Sequence, residues 1–128
     1  MSIDRTVLIA DDEPDFRLGV AELLDGLGLS FRMAETGPEA LVLVRRGGID
    51  LALLDHQMPS PTGLTLTGLD VLLAIRDETL GVPAILCSAD AGDDLQRMAL
   101  AAGALTVLRK PFEPLLLRSE VQRALGLA

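Results

Sequence analysis

The order of apolar and polar stretches along the chain predicts five short strands that alternate with helices. Four of the apolar runs are nearly continuous, which is typical of strands buried on both faces of a parallel sheet. Because strand and helix alternate five times, the sequence predicts an α/β fold, doubly wound around a five-stranded parallel sheet. The predicted strands are Thr6–Ala10, Leu29–Ala34, Ile49–Leu54, Pro83–Cys87 and Ala104–Leu108.

The segments between the strands carry apolar residues at helical spacing, and several of their ends have recognisable signals. Pro14 and Pro114 each stand where a first helical turn would begin. Thr36 and Glu39 have the spacing of a capping box, in which each residue satisfies a main-chain N–H of the other. Gly103 is placed to end a helix. These signals place the helix ends independently of the apolar pattern.

Composition and charge narrow the functional classes. The chain has 128 residues, 49% of them hydrophobic, and no linker interrupts it, so residues 1–128 are predicted to form one domain. The net charge of −8 argues against a nucleic-acid-binding surface, which needs a basic stripe. No apolar run approaches the ~18 residues of a membrane span, and Met1–Arg5 lacks the layout of a signal peptide. The single cysteine, Cys87, excludes an internal disulfide, so we expect a cytoplasmic protein without membrane contact.

Polar side chains follow four of the predicted strands. In an open parallel sheet the carboxyl ends of the strands lie along one edge, where ligands bind. We therefore expect these side chains to meet in one pocket although they are distant in sequence. They are Asp11, Asp12 and Glu13 after the first strand, Asp55 after the third, Ser88 after the fourth, and Arg109 and Lys110 after the fifth.

The residue types in this predicted pocket suit a phosphoryl group. Carboxylates held close together repel one another, and Mg²⁺ relieves this while leaving positions open for phosphate oxygens. Lys110 is the only lysine beside ten arginines, and its compact charge suits a single phosphate oxygen. The Ser88 hydroxyl can donate to another oxygen, and an Asp can act as the nucleophile that forms an acyl phosphate.

Four stretches, VLIADDEPDF, LLDHQMP, ILCSA and LRKPF, resemble the signatures of the receiver domain of two-component response regulators. The resemblance covers essentially the whole chain. It implies a flavodoxin-like fold with strand order 2-1-3-4-5 and five flanking helices. It also implies a cytoplasmic signalling switch in which Asp55 accepts a phosphoryl group from the phosphohistidine of a histidine kinase or phosphotransfer protein.

The resemblance assigns a role to each polar residue of the pocket. Ser88 and Lys110 would bind the phosphoryl oxygens, and the Lys110–Pro111 peptide bond would be cis. Such a domain is not an enzyme in the usual sense, since it promotes only its own phosphotransfer and dephosphorylation. The implied Mg²⁺ site consists of Asp12, Asp55 and the main-chain carbonyl of Gln57 as direct ligands, with Asp11 acting through water.

The chain departs from the family pattern at two places. Val107 stands where many members carry an aromatic residue that turns inward on activation. Residues Thr62–Leu66 and Thr67–Val71 align as a tandem duplication, TGLTL and TGLDV. Because Thr67 and Asp70 have capping-box spacing, we expect the helix to begin near Thr67 and Ser60–Leu66 to form additional loop. This insertion is interpreted either as tolerated replication slippage or as a segment that tunes phosphoryl lifetime or contacts a partner.

Two other classes of function are open from the sequence. An aspartate-nucleophile phosphatase of the haloacid-dehalogenase kind needs a second Asp two residues after the nucleophile, where this chain has Gln57. A pseudo-receiver that is never phosphorylated would act only through protein contacts. The last predicted helix ends near the last residue, so the chain is either a stand-alone receiver or part of a longer regulator with an output domain. The cognate kinase and the output partner are not indicated.

Overall fold

The computed structural model describes residues 4–60, 63 and 65–127, and these residues form the predicted five strands and five helices. Along the described chain, strand and helix alternate from the first element to the last. The strands are β1 (Arg5–Ala10), β2 (Leu29–Ala34), β3 (Leu51–Asp55), β4 (Ala84–Ser88) and β5 (Thr106–Arg109). The helices are α1 (Pro14–Leu23), α2 (Gly37–Arg46), α3 (Gly68–Asp77), α4 (Asp93–Ala101) and α5 (Pro114–Ala124).

All five strands pair in parallel in the order β2-β1-β3-β4-β5, which confirms the predicted fold class. The chain moves from β1 outward to β2 and then returns past β1 to β3. The strand order therefore reverses between β1 and β3, and a crevice forms outside the carboxyl ends of these two strands. This crevice is where the predicted acidic residues lie.

Two apolar layers cover the sheet, because successive side chains of a strand point to opposite faces. In β1, Leu8 and Ala10 face the layer formed by α2, α3 and α4. Val7 and Ile9 face the layer formed by α1 and α5. Cys87 of β4 is buried in the second layer. Both faces are thus covered, which explains why the strand sequences are continuously apolar.

The structure corrects the predicted ends of three strands. β3, β4 and β5 each end one residue later than predicted, at Asp55, Ser88 and Arg109. Parallel pairing continues through these polar residues, since Asp55 is opposite Cys87 and Ser88 is opposite Arg109. Hydrogen bonding between main chains does not depend on side-chain polarity, so the apolar run stops one residue before the carboxyl end of each strand. These three strands also begin one or two residues later than predicted. The sheet itself therefore holds the main chain of Asp55 and Ser88.

The helix starts follow the sequence signals with one difference. Pro14 and Pro114 are the first residues of α1 and α5, as predicted. Thr36 caps α2 by accepting the Glu39 N–H at 3.2 Å, but the Glu39 carboxylate accepts the N–H of Glu35 instead of Thr36. The capping box predicted at α2 is therefore only half formed.

The start of α3 agrees with the prediction made from the duplicated segment. Thr67 is the N-cap residue, and its hydroxyl accepts the Asp70 N–H at 3.1 Å. The Asp70 carboxylate accepts the Thr67 N–H at 2.9 Å, which completes the capping box. Thr62 and Leu64 of the inserted segment lie outside the described residues. Leu66 is half-buried, and its main chain lies against Gly37 at the start of α2.

Among the described residues, the longest helix is α5 with 11 residues, and none is long and apolar enough to cross a lipid bilayer.

Candidate functional site

The carboxyl edge of the sheet brings together most of the side chains that the sequence predicts there, but Arg109 is exposed and does not line the cleft. Asp55 ends β3, Ser88 ends β4, and Lys110 directly follows β5. The Lys110–Pro111 peptide bond is cis, as the resemblance implies. A cleft of about 250 Å³ lies above this edge, and its lining includes Asp12, Asp55, Gln57, Ser88 and Lys110.

Three carboxylates form the acidic side of the cleft. One oxygen each of Asp11, Asp12 and Asp55 lies within 4.8 Å of the other two. Asp11 is 1% exposed and Asp55 is 8% exposed, whereas Asp12 is open to solvent. Carboxylate oxygens held this close and partly accessible are suitable ligands for a hard divalent cation. The cluster could therefore hold a metal ion.

The carboxylate of Asp55 is held in an environment that disfavours its charge. Burial is the largest influence, and together with the nearby charge of Asp11 it raises the pKa of Asp55 to about 6. Lys110 and a hydrogen bond from the main chain of Gln57 act in the opposite direction without compensating fully. Close to neutral pH the group is mostly ionised, so it can serve as a nucleophile or a metal ligand.

The ammonium group of Lys110 lies between two of the acids. Its Nζ donates to Oδ2 of Asp11 at 2.6 Å and lies 3.5 Å from Oδ1 of Asp55. Burial acts to lower the pKa of Lys110, but the hydrogen bond to Asp11 and the charges of Asp55 and Asp11 outweigh it and raise the pKa. The group therefore remains positively charged beside the Asp55 carboxylate.

Asp11 is fixed from two further directions. Its Oδ1 accepts the main-chain N–H of Glu13 at 2.9 Å. Its main-chain carbonyl accepts from the buried guanidinium of Arg17 at 2.6 Å, and Arg17 also pairs with Glu35 at 3.4 Å. The side-chain oxygens of Asp11 are thus engaged by Lys110 and Glu13, while Asp12 remains more open to the cleft.

Ser88 closes the cleft on the β4 side. The side chain is buried, and its hydroxyl accepts the Asp90 N–H at 3.1 Å and donates to the Asp90 carbonyl at 3.2 Å. This local turn fixes the hydroxyl at the wall of the cleft. Val107 is half-buried and packs against the layer of α2, α3 and α4.

Sequence reasoning missed some residues around the site. His56 is half-buried, its Nδ1 has no hydrogen-bond partner in the described structure, and burial lowers its pKa. The ring of Phe16 in α1 lies under the Lys110 ammonium. No pattern in the sequence indicated the contact between Arg17 and Asp11.

Comparison with known proteins identifies the family. The family model for the response regulator receiver domain matches residues 7–122, and the chain belongs to this family. Receiver domains are signalling domains of two-component systems rather than conventional enzymes.

Individual relatives agree with this assignment. A response regulator receiver protein from Anaeromyxobacter sp. (strain Fw109-5) is 36% identical over 107 residues, which cover 84% of this chain and 43% of the relative. The phosphate regulon transcriptional regulatory protein PhoB of Pseudomonas aeruginosa is 32% identical over 113 residues, which cover 88% of this chain and 48% of PhoB. The chain therefore spans just under half the length of these relatives.

A solved structure shows the same fold. The receiver domain of the Francisella response regulator 1452 superimposes with a TM-score of 0.85 at 26% identity. The superposition covers 95% of this chain and 97% of that domain.

Proposed function

We propose that this chain is a phosphorylation-dependent switch in which Asp55 accepts a phosphoryl group from a phosphohistidine. The observation that carries the proposal is the position of the Asp55 carboxylate, which lies in the cleft with the Lys110 ammonium 3.5 Å away and two further acids beside it. A carboxylate nucleophile, a fixed cation and a set of oxygen ligands are the groups that phosphoryl transfer requires.

The transfer forms one bond and breaks another. An oxygen of the ionised Asp55 attacks phosphorus, the P–N bond of the phosphohistidine breaks, and the electron pair of that bond leaves with the imidazole. The product is an acyl phosphate on Asp55. Lys110 and the Ser88 hydroxyl would bind phosphoryl oxygens and so stabilise their negative charge.

Mg²⁺ is the metal that best suits the acid cluster, because it prefers oxygen ligands and leaves coordination positions for phosphate. Asp12, Asp55 and the main-chain carbonyl of Gln57 would bind it directly. Asp11 would act through water, since its carboxylate already accepts from Lys110 and Glu13. When bound, the ion supplies positive charge against the carboxylates and the phosphoryl oxygens.

The partners follow from the same chemistry. The phosphodonor would be a histidine kinase or a histidine-containing phosphotransfer protein in the cytoplasm. The change of charge at Asp55 would be transmitted through protein contacts to an output partner or an output domain of a longer regulator. Direct binding of nucleic acid by this chain is not expected at a net charge of −8.

The test is phosphorylation of the purified chain by a small phosphodonor, acetyl phosphate, in the presence of Mg²⁺. Intact-mass spectrometry should show one added phosphoryl group on the wild-type protein and none on Asp55→Asn. The matched control is Asp15→Asn, an exposed acid in the first turn of α1, which should be phosphorylated like the wild type.

The outcomes separate the alternatives. A stable acyl phosphate supports the switch, continuous release of phosphate by multiple turnovers indicates a phosphatase, and no reaction indicates a pseudo-receiver. Equal phosphorylation of Asp55→Asn would show that the acceptor is a different residue.

A further inference from the structure

One face of the Lys110 ammonium rests on an aromatic ring. Nζ of Lys110 lies 4.0 Å from the centroid of the Phe16 ring in α1. The Phe16 ring meets Phe112 edge to face, with centroids 6.1 Å apart and planes inclined by 77°. Phe112 lies two residues after Lys110, so this pair of rings joins α1 to the segment that carries the lysine.

Two aromatic rings in contact are unusual in this chain, because aromatic residues are rare in its sequence. Aromatic residues make up only 2% of the sequence, with three phenylalanines and no tyrosine or tryptophan. Two of the three rings therefore form this pair, one of them under the Lys110 ammonium, while the third, Phe31, is in β2. An aliphatic side chain fills a similar volume, but the face of an aromatic ring also carries negative partial charge and attracts a cation.

We infer that Phe16 is a positioning residue for phosphotransfer: its ring face, supported by Phe112, holds the Lys110 ammonium beside Asp11 and Asp55. The inference rests on the proposed function of Asp55 and Lys110. A lysine has a flexible four-carbon stem, and its ammonium can adopt many positions. The hydrogen bond to Asp11 restricts it from one side and the ring restricts it from another.

The position of Lys110 in the cleft explains how this restriction of its ammonium would assist phosphotransfer. The Lys110 side chain is 20% exposed, so only part of it is in contact with water. Its ammonium already lies 3.5 Å from Asp55, where a phosphoryl oxygen would arrive. An ammonium held there in advance does not have to reorganise during the transfer, which is the usual source of electrostatic catalysis.

The first test compares phosphorylation rates by acetyl phosphate at saturating Mg²⁺. Phe16→Leu should slow the reaction about fivefold, the factor that corresponds to a cation–π contact of roughly 1 kcal/mol. Phe16→Tyr keeps the ring face and should react within about twofold of the wild type, a difference well below that contact energy. The matched control is Phe31→Leu, the same exchange at a half-buried ring away from the cleft, which should leave the rate unchanged.

The second test observes the lysine directly. Because Lys110 is the only lysine, protein labelled with ¹³C at the lysine ε position gives one side-chain signal in NMR. Protons above an aromatic ring are shifted upfield, so the ε protons should be upfield of free lysine in the wild type. Phe16→Leu should remove this shift and Phe31→Leu should keep it. If Phe16→Leu does not fold, 3,4,5-trifluorophenylalanine at position 16 keeps the shape of the ring and weakens its attraction for a cation.

The possible results separate this inference from the proposed function. If the wild type takes up no phosphoryl group, the proposed function fails, and the NMR shift alone then tests the contact. If the wild type reacts and Phe16→Leu or the fluorinated protein reacts equally fast, the inference is wrong and the proposed function stands. A loss of rate that also occurs in Phe31→Leu, or an unchanged lysine signal in Phe16→Leu, would show a general packing effect and would also overturn the inference.

Discussion

Asp55 is a buried acid whose charge is costly before any ligand arrives. Because its pKa is raised from 3.8 to about 6, the folded protein binds a proton more tightly than the unfolded chain does. Below pH 3.8 both states are protonated and Asp55 has no effect on stability. As the pH rises from 3.8 to about 6 the folded state loses stability, by roughly 3 kcal/mol for a shift of about two pKa units, and above this range the loss is constant.

Removing this acid should therefore stabilise the metal-free protein at high pH. Thermal unfolding followed by circular dichroism in EDTA should show a higher Tm for Asp55→Asn at pH 8. The gain should shrink as the pH falls toward 4, because the wild-type carboxyl is then protonated. The exposed control Asp15→Asn should show no such trend. If the increase in Tm were equal at pH 8 and near pH 4, the ionisation of Asp55 would not be its cause.

The compact ammonium of Lys110 lies in the narrow space between two carboxylates, so we expect its replacement by arginine to change the behaviour of the phosphorylated protein. The ammonium fits between Asp11 and Asp55, while a guanidinium is a wider planar group. We expect Lys110→Arg to accept a phosphoryl group but to retain it for a different time, measured as the decay of the phosphorylated species in intact-mass spectra. The neighbouring control Arg109→Lys, at an exposed position, should decay like the wild type. Matching rates and lifetimes in Lys110→Arg would mean that the ammonium is not required.

The junction between β3 and α3 is packed too closely for a side chain. Gly68 is the first residue of α3, its N–H donates to the carbonyl of His56 at 2.9 Å, and an added Cβ would overlap the main chain of Asp55 and the side chain of Leu86. The first residue of α3 therefore packs directly against the main chain of Asp55, the residue proposed to accept the phosphoryl group. The complete capping box at Thr67 fixes the helix in that position.

Two glycine substitutions test this packing. Gly68→Ala should lower stability by about 1–3 kcal/mol and slow phosphorylation, because the overlap displaces the Asp55 main chain. Gly19→Ala is the matched control in α1, where an added Cβ has no atom within 4 Å. It should raise stability by up to about 1 kcal/mol, since alanine favours the helix more than glycine does. Unfolding by denaturant measures the free energy of unfolding of both variants. Equal changes in the two variants would contradict the close contact at Gly68.

The whole domain carries its acid cluster at one end of the sheet, so metal binding should stabilise the global fold. A ligand bound only by the folded state adds roughly 2.7 kcal/mol at a hundredfold excess over its Kd. We therefore expect millimolar Mg²⁺ to raise the Tm relative to EDTA at equal ionic strength. Asp12→Ala should lose most of this gain, and Asp15→Ala, outside the cluster, should keep it. An unchanged Tm of the wild type would count against a metal site.

Much of the architecture could be predicted because its signals are local in sequence. Continuously apolar runs indicated buried parallel strands, proline and threonine marked the helix starts, and polar residues after the strands indicated the site edge. The strand ends were less accurate, since main-chain pairing extends through Asp55 and Ser88 regardless of their polarity. The resemblance to receiver domains supplied the strand order and the roles expected at the site.

Other features depended on contacts between distant parts of the chain. Lys110 and Asp11 are separated by 99 residues, and only the folded sheet brings their charged groups to 2.6 Å. The ring of Phe16 under Lys110 and the guanidinium of Arg17 on the Asp11 carbonyl have the same origin. By itself the sequence determined which residues would stand at the carboxyl edge, because strand and helix periods are encoded locally. The tertiary structure alone decided which of them touch, because distances between side chains of different elements depend on how the helices pack on the sheet.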